Sequence, residues 1–100
     1  MRVIALPTLR ELWDGNADHV AARDPTLAWY RHVLHADWRS PADVKRDFGG
    51  ANILQDGRVV FNIAGNKYRI VVRINFQYRV VYVRFIGTHA QYDRIDAQKI

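Results

Sequence analysis

The stretch Arg58-Val59-Val60-Phe61-Asn62-Ile63-Ala64-Gly65-Asn66-Lys67-Tyr68-Arg69-Ile70-Val71-Val72-Arg73-Ile74 and its continuation Asn75-Phe76-Gln77-Tyr78-Arg79-Val80-Val81-Tyr82-Val83-Arg84-Phe85-Ile86 decides the fold. Its three runs, Arg58–Ile63, Lys67–Phe76 and Val80–Ile86, alternate with period two and are rich in Val, Ile, Phe and Tyr. That is the pattern of half-buried strands. Gly65-Asn66 is a strong two-residue turn, and Gln77-Tyr78 is a weaker one. Side chains alternate faces along a strand, so the turns fix the pairing by counting. The first turn sets Asn62 opposite Arg69 and Val60 opposite Val71. The second sets Arg73 opposite Tyr82 and Val71 opposite Arg84. Val59, Phe61, Ile63, Tyr68, Ile70, Val72, Ile74, Val81, Val83 and Phe85 then share an apolar face. Arg58, Lys67, Arg69, Arg73 and Arg84 share the other, with Asn62 and Tyr82 among them. A slip of one residue would bury the arginines, so the register is well determined.

The expected class is α+β: a short N-terminal strand and helices packed on a three-stranded antiparallel meander, followed by a short C-terminal helix. Met1–Ala5 reads as the brief strand. Thr8 and Glu11 have capping-box spacing ahead of Leu9, Leu12 and Trp13. Asp24-Pro25 looks like a second helix start, with Asp24 as N-cap, and Ala17–Arg23 can add a turn before it. Leu27, Tyr30 and Leu34 recur at helical spacing. Ser40-Pro41 opens a third helix, which Gly49-Gly50 closes.

Charge sharpens the reading. The chain has 100 residues, no cysteine and a formal net charge of +5. Residues 1–50 balance to zero, and the whole excess lies in residues 51–100. No acidic residue occurs in the 36 positions between Asp56 and Asp93. The length suits one domain spanning residues 1–100. Without cysteine there are no disulfides, thiolate zinc sites or Cys nucleophiles. No apolar stretch approaches a membrane span, and no signal-peptide pattern opens the chain, so a cytoplasmic location without membrane partners is expected. Solvated sheet surfaces usually mix signs, and like charges on neighbouring strands repel. An unmixed basic face therefore suggests a polyanion, for which nucleic acid is the usual partner.

The segment Gly87-Thr88-His89-Ala90-Gln91-Tyr92-Asp93 follows the last strand. Thr88 and Gln91 again have capping-box spacing, with His89 as first helical residue and Tyr92 and Asp93 on its face. A helix start would offer free N–H groups to phosphate and favour a neutral imidazole suited to a general base. A lone histidine on a capped terminal helix is also a common structural feature. His32 and His35, three apart on a helix, have no evident third ligand, and no metal or cofactor is expected. Trp13, Trp29 and Trp38 lie in the charge-balanced half and read as packing residues.

Taken together, Val60–Arg69, Val81–His89, Tyr92-Asp93, Ala36-Asp37-Trp38 and Pro41–Lys45 resemble the HigB toxins of the RelE-like superfamily. The resemblance covers nearly the whole chain, and Asp14–Asp24 departs from it as a short insertion would. It implies a RelE-like fold and a metal-independent mRNA interferase acting on the ribosome. It also implies control by a helix-turn-helix antitoxin of the HigA type. Its pattern matches Asn66, Lys67, Arg69, Arg84, His89, Tyr92 and Asp93. The expected roles are catalysis by His89 and Tyr92 with Lys67, Arg69 and Arg84 supplying charge. Asp93 would orient His89. Arg58, Asn62, Asn66, Arg73 and Tyr82 would bind message or ribosomal RNA. The competing readings are a non-catalytic RNA-binding module and a subunit that docks an acidic protein.

Overall fold

The computed structural model describes residues 1–100. In chain order the elements are β1 (Arg2–Ile4), α1 (Leu6–Asp14), a 3-10 helix (Ala17–Ala22), α2 (Arg23–His35) and α3 (Pro41–Asp47). They are followed by β2 (Asn52–Ile53), β3 (Arg58–Ile63), β4 (Tyr68–Asn75), β5 (Val80–Thr88) and α4 (His89–Tyr92). The α+β class stands, but the sheet has five strands, in the order β1-β5-β4-β3-β2. The expected meander is its centre. β1 adds parallel to β5, with Ile4 beside Tyr82, and β2 adds antiparallel to β3. At three and two residues, neither edge strand is long enough to show a period.

Pairing across the first hairpin follows the turn at Gly65-Asn66, with Asn62 opposite Arg69. Both turn residues have positive φ, the geometry such a turn demands. The second hairpin begins as counted, with Arg73 opposite Tyr82 and Val72 opposite Val83. A β-bulge then intervenes: Val71 pairs with Phe85, not with Arg84. One extra residue reverses parity beyond it. Phe85 leaves the core face and Ile86 takes its place, packing against the main cluster.

Leu9, Leu12 and Trp13 of α1, Trp29 and Val33 of α2, and Val44 of α3 cover the core face, meeting Val59, Phe61, Ile70, Val72 and Val81. All three tryptophans are buried. Phe61 is the hub of the aromatic packing: Trp38 stacks on it, and Trp29 and Phe48 meet it edge-on at 5.3 and 5.2 Å.

The helix starts differ from expectation. α1 begins at Leu6, capped by Ala5 without a side-chain bond, so Thr8 lies inside the helix and Pro7 in its first turn. α2 begins at Arg23, because the 3-10 helix runs straight into it, and Asp24 caps nothing. Proline is tolerated in a first turn, where its missing N–H has no partner to lose. Asn16 supplies the real cap, accepting from the Asp18 N–H at 2.9 Å. The expected capping box at Thr88 and Gln91 is present in both directions: Gln91 N–H donates to Thr88 Oγ1 at 3.1 Å, and Thr88 N–H donates to Gln91 Oε1 at 2.8 Å.

Candidate RNA-cleaving site

The second face of the sheet is divided. A small apolar cluster, Val60, Val71 and Ala97, sits at its middle with Phe85, Ile95, Leu54 and Ile100 packed around it. Residues 94–100 therefore lie as a strap across the face. Ala97 is only 8 % exposed. The bulge makes this possible by bringing Phe85 beside Val60 and Val71. The strap leaves two groups of polar side chains, one at each end.

The first group surrounds the β3–β4 turn. The His89 N–H donates to the Lys67 carbonyl at 3.1 Å, which fastens α4 to the hairpin. His89 Nδ1 lies 3.0 Å from Asp93 Oδ2, and both side chains are about half exposed. A carboxylate at Nδ1 favours the tautomer that carries its proton there and its lone pair on Nε2. Arg69 donates to Asn62 Oδ1 and, at 3.1 Å, to Asn66 Oδ1. Its guanidinium also lies 5.5 Å from the Tyr92 ring centroid. Asn62 and Asn66 thus hold the guanidinium in place, Tyr92 stacks beside it, and Lys67 is exposed with no carboxylate partner. His89, Asp93, Lys67, Arg69, Asn62, Asn66 and Tyr92 form one group.

One expectation fails here. α4 is a single turn whose start is already bonded. The His89 N–H is taken by Lys67, and the Gln91 N–H by Thr88. It is not an anion cradle, and charge for a phosphate must come from side chains.

The second group lies toward the other end of β4 and β5. Arg73, Tyr82 and Arg84 line one pocket there with Asn75. Arg84, the extra residue at the bulge, is exposed and has no ion pair. The structure therefore groups Arg84 with Arg73 and Tyr82, several residues along β5 from His89. Arg58 lines the same pocket opposite Arg73, but as a covered side chain. Its side chain is 13 % exposed, Nε donates to the Ile100 carbonyl at 3.0 Å, and Asp56 lies 3.6 Å away. The strap covers it, so Arg58 is not part of the open face that strand parity assigned it to. Arg2 takes up that deficit. It shares parity with Ile4, and Ile4 pairs beside exposed Tyr82, so Arg2 extends the basic face across β1. Sequence alone marks Met1–Ala5 as a brief strand, but not which strand it joins.

No three His, Asp or Glu side chains converge on one point. No helix is long and apolar enough to cross a membrane.

Relatives share the chain's pattern. The chain is 40% identical over 90 residues to the mRNA interferase toxin HigB of Escherichia coli, covering 88% of this chain and 86% of that protein. The mRNA interferase HigB of Shigella flexneri matches with the same figures. A second HigB, from another Escherichia coli strain, is 26% identical over 68 residues, about two thirds of each chain. Residues 22–95 match the family described as HigB toxin, the RelE-like toxic component of a toxin–antitoxin system. That span begins where α2 begins and ends in the strap, so it takes in both polar groups; with the relatives' identity over most of the chain, it places this protein in the HigB family of RelE-like toxins.

Proposed function

We propose that this chain is the toxin of a type II toxin–antitoxin system and a metal-independent endoribonuclease that cuts message on the ribosome. The observation that carries this reading is the His89–Asp93 pair, fastened to the hairpin that presents Lys67 and Arg69 beside Tyr92. Relatives named mRNA interferases support the same activity.

The chemistry follows from what those groups can do. RNA carries its own nucleophile. The 2′-oxygen attacks the adjoining phosphorus and the 5′-oxygen leaves, giving a 2′,3′-cyclic phosphate and a 5′-hydroxyl. His89 Nε2 accepts the proton of the 2′-hydroxyl. Tyr92 donates a proton to the leaving oxygen and regains one from the imidazolium, so one proton moves in total from the 2′- to the 5′-oxygen. Lys67 and Arg69 stabilise the charge that builds on the phosphorane oxygens, the role that preorganised cations fill best. Arg73, Arg84 and Tyr82 hold flanking RNA. A cytoplasmic location and a helix-turn-helix antitoxin of the HigA type belong to the same reading.

His89→Ala is expected to lower message cleavage by about 10²- to 10⁴-fold while the fold persists. Cleavage at undiminished rate would refute the assignment. Activity is expected to survive EDTA at a concentration that leaves ribosomes intact. Loss of cleavage under those conditions would overturn the metal-free mechanism.

A further inference from the structure

The end of the basic face away from His89 is shaped for more than a passing backbone. A pocket of about 640 Å³ opens there. Arg73, Arg84, Tyr82 and Asn75 line it, together with Leu54, Phe76 and the Arg58–Asp56 pair. Tyr82 is 37 % exposed, an unusual display for an aromatic ring in the middle of a strand. Arg84 has no ion pair, and Arg73 is held only by its Nε bond to the Asp56 carbonyl at 3.2 Å. The pocket therefore combines an open aromatic face, apolar walls, an amide that can donate and accept, and two arginines with donors to spare.

We infer that this pocket takes one nucleotide of the RNA, its base against Tyr82 and its phosphates on Arg73 and Arg84. The inference rests on the nuclease reading above and extends it to a second place on the same substrate. A lone phosphate site would not need an apolar wall, and a site for an apolar ligand would not carry two unneutralised arginines. Base stacking on an aromatic side chain together with phosphate contacts is how single-stranded nucleic acid is held. From Thr88 to Tyr82 is six residues of strand, about 20 Å. The pocket thus holds a nucleotide several positions from the bond that is cut. The strap covers Val60, Val71 and Phe85 in the middle of the face, so the two groups lie on either side of it. The same pocket chemistry would serve a message nucleotide or an unpaired ribosomal one.

The test uses the full chain, ribosomes and a series of messages, each with one abasic residue at a successive distance from the scissile bond. With the native protein, one distance several nucleotides away is expected to raise KM by about 5- to 100-fold, the loss that one unstacked base produces. In Tyr82→Ala that dependence on position should vanish, and in Tyr82→Phe it should remain, because stacking needs the ring and not the hydroxyl. A flat abasic scan combined with weaker co-sedimentation of Tyr82→Ala with empty ribosomes would support the pocket and identify its nucleotide as ribosomal. A scan and a co-sedimentation both indifferent to Tyr82→Ala would overturn the proposal, even with cleavage intact. A chain that cuts no message, but whose binding to a single-stranded oligonucleotide still depends on Tyr82, would refute the nuclease reading and leave the pocket standing. Thermal unfolding of Tyr82→Ala checks that the variant is folded.

Discussion

Arg69 touches more of the first polar group than any other side chain. It meets Asn62 and Asn66 through a guanidinium nitrogen and Tyr92 through its plane. Lysine keeps the charge but has neither the fork nor the flat face, so Arg69→Lys is not a conservative change. Cleavage should fall in Arg69→Lys by about 10-fold or more, less than in His89→Ala but with the same intact fold. A single-turnover assay checks this, and wild-type rates would refute it. Inside the core, Thr26 is fully buried and its Oγ1 has no partner. An unpaired buried hydroxyl costs about 1–3 kcal/mol. Valine has nearly the same shape, so Thr26→Val should stabilise the protein by up to that amount, raising the urea midpoint.

Between α2 and α3, two side chains meet on one carboxylate. Asp47 Oδ2 accepts from the buried Trp38 indole N–H at 2.9 Å and from His32 Nε2 at 3.2 Å. The Trp38 bond above all, with the His32 bond next, holds the Asp47 carboxyl below its usual range. A depressed carboxyl stabilises the fold above its ordinary titration range and loses that contribution as pH falls through the depressed value. Acid denaturation of the native chain should therefore begin below about pH 4 at this clasp. Asp47→Ala removes the acceptor from a buried indole and should cost about 1–3 kcal/mol at neutral pH. It should also flatten the loss of stability below pH 4. Denaturant titrations at neutral and acid pH read both effects, and equal losses at the two pH values would contradict the clasp. The β2–β3 turn is equally exacting. Gly57 has φ +78, and a Cβ there would meet the Ile74 carbonyl oxygen at 2.5 Å. Both obstacles are backbone, so no rotamer change relieves them.

Across the whole molecule, the strap ties α4 to the far side of the sheet. Ala97→Asp would place a carboxylate on Val60 and Val71, a burial that the strap escapes by lifting away. The main core is a separate cluster and should persist. Tyr92 would lose its packing and Arg58 its cover, so cleavage should fall while RNA binding gains a cation. The salt dependence tracks that change. Lys67, Arg69, Arg73, Arg84 and Arg2 are the open cations of the native face, which predicts a log–log slope of about −3.5 for single-stranded RNA. Ala97→Asp should steepen it by about 0.7. Equal slopes for the two proteins would show that Arg58 was never masked.

The alternation in residues 58–86 and the Gly65-Asn66 turn determined the central meander, because period two and turn length are local properties. The His89–Asp93 pair and the capping box at Thr88 were legible for the same reason, since each needs only one turn of helix. Chain contacts far apart in sequence decided the rest. Nothing in Val83-Arg84-Phe85 marks a bulge, because the bulge answers to the strap that Phe85 packs against. Arg58 read as an open cation until the strap, some forty residues on, covered it, and Arg2 became part of the basic face only when β1 paired with β5. Local spacing thus determined which residues face outward as far as the bulge. Only the tertiary structure decided which of the outward cations stay uncovered, because a cation is masked by whatever later chain finds apolar surface beside it.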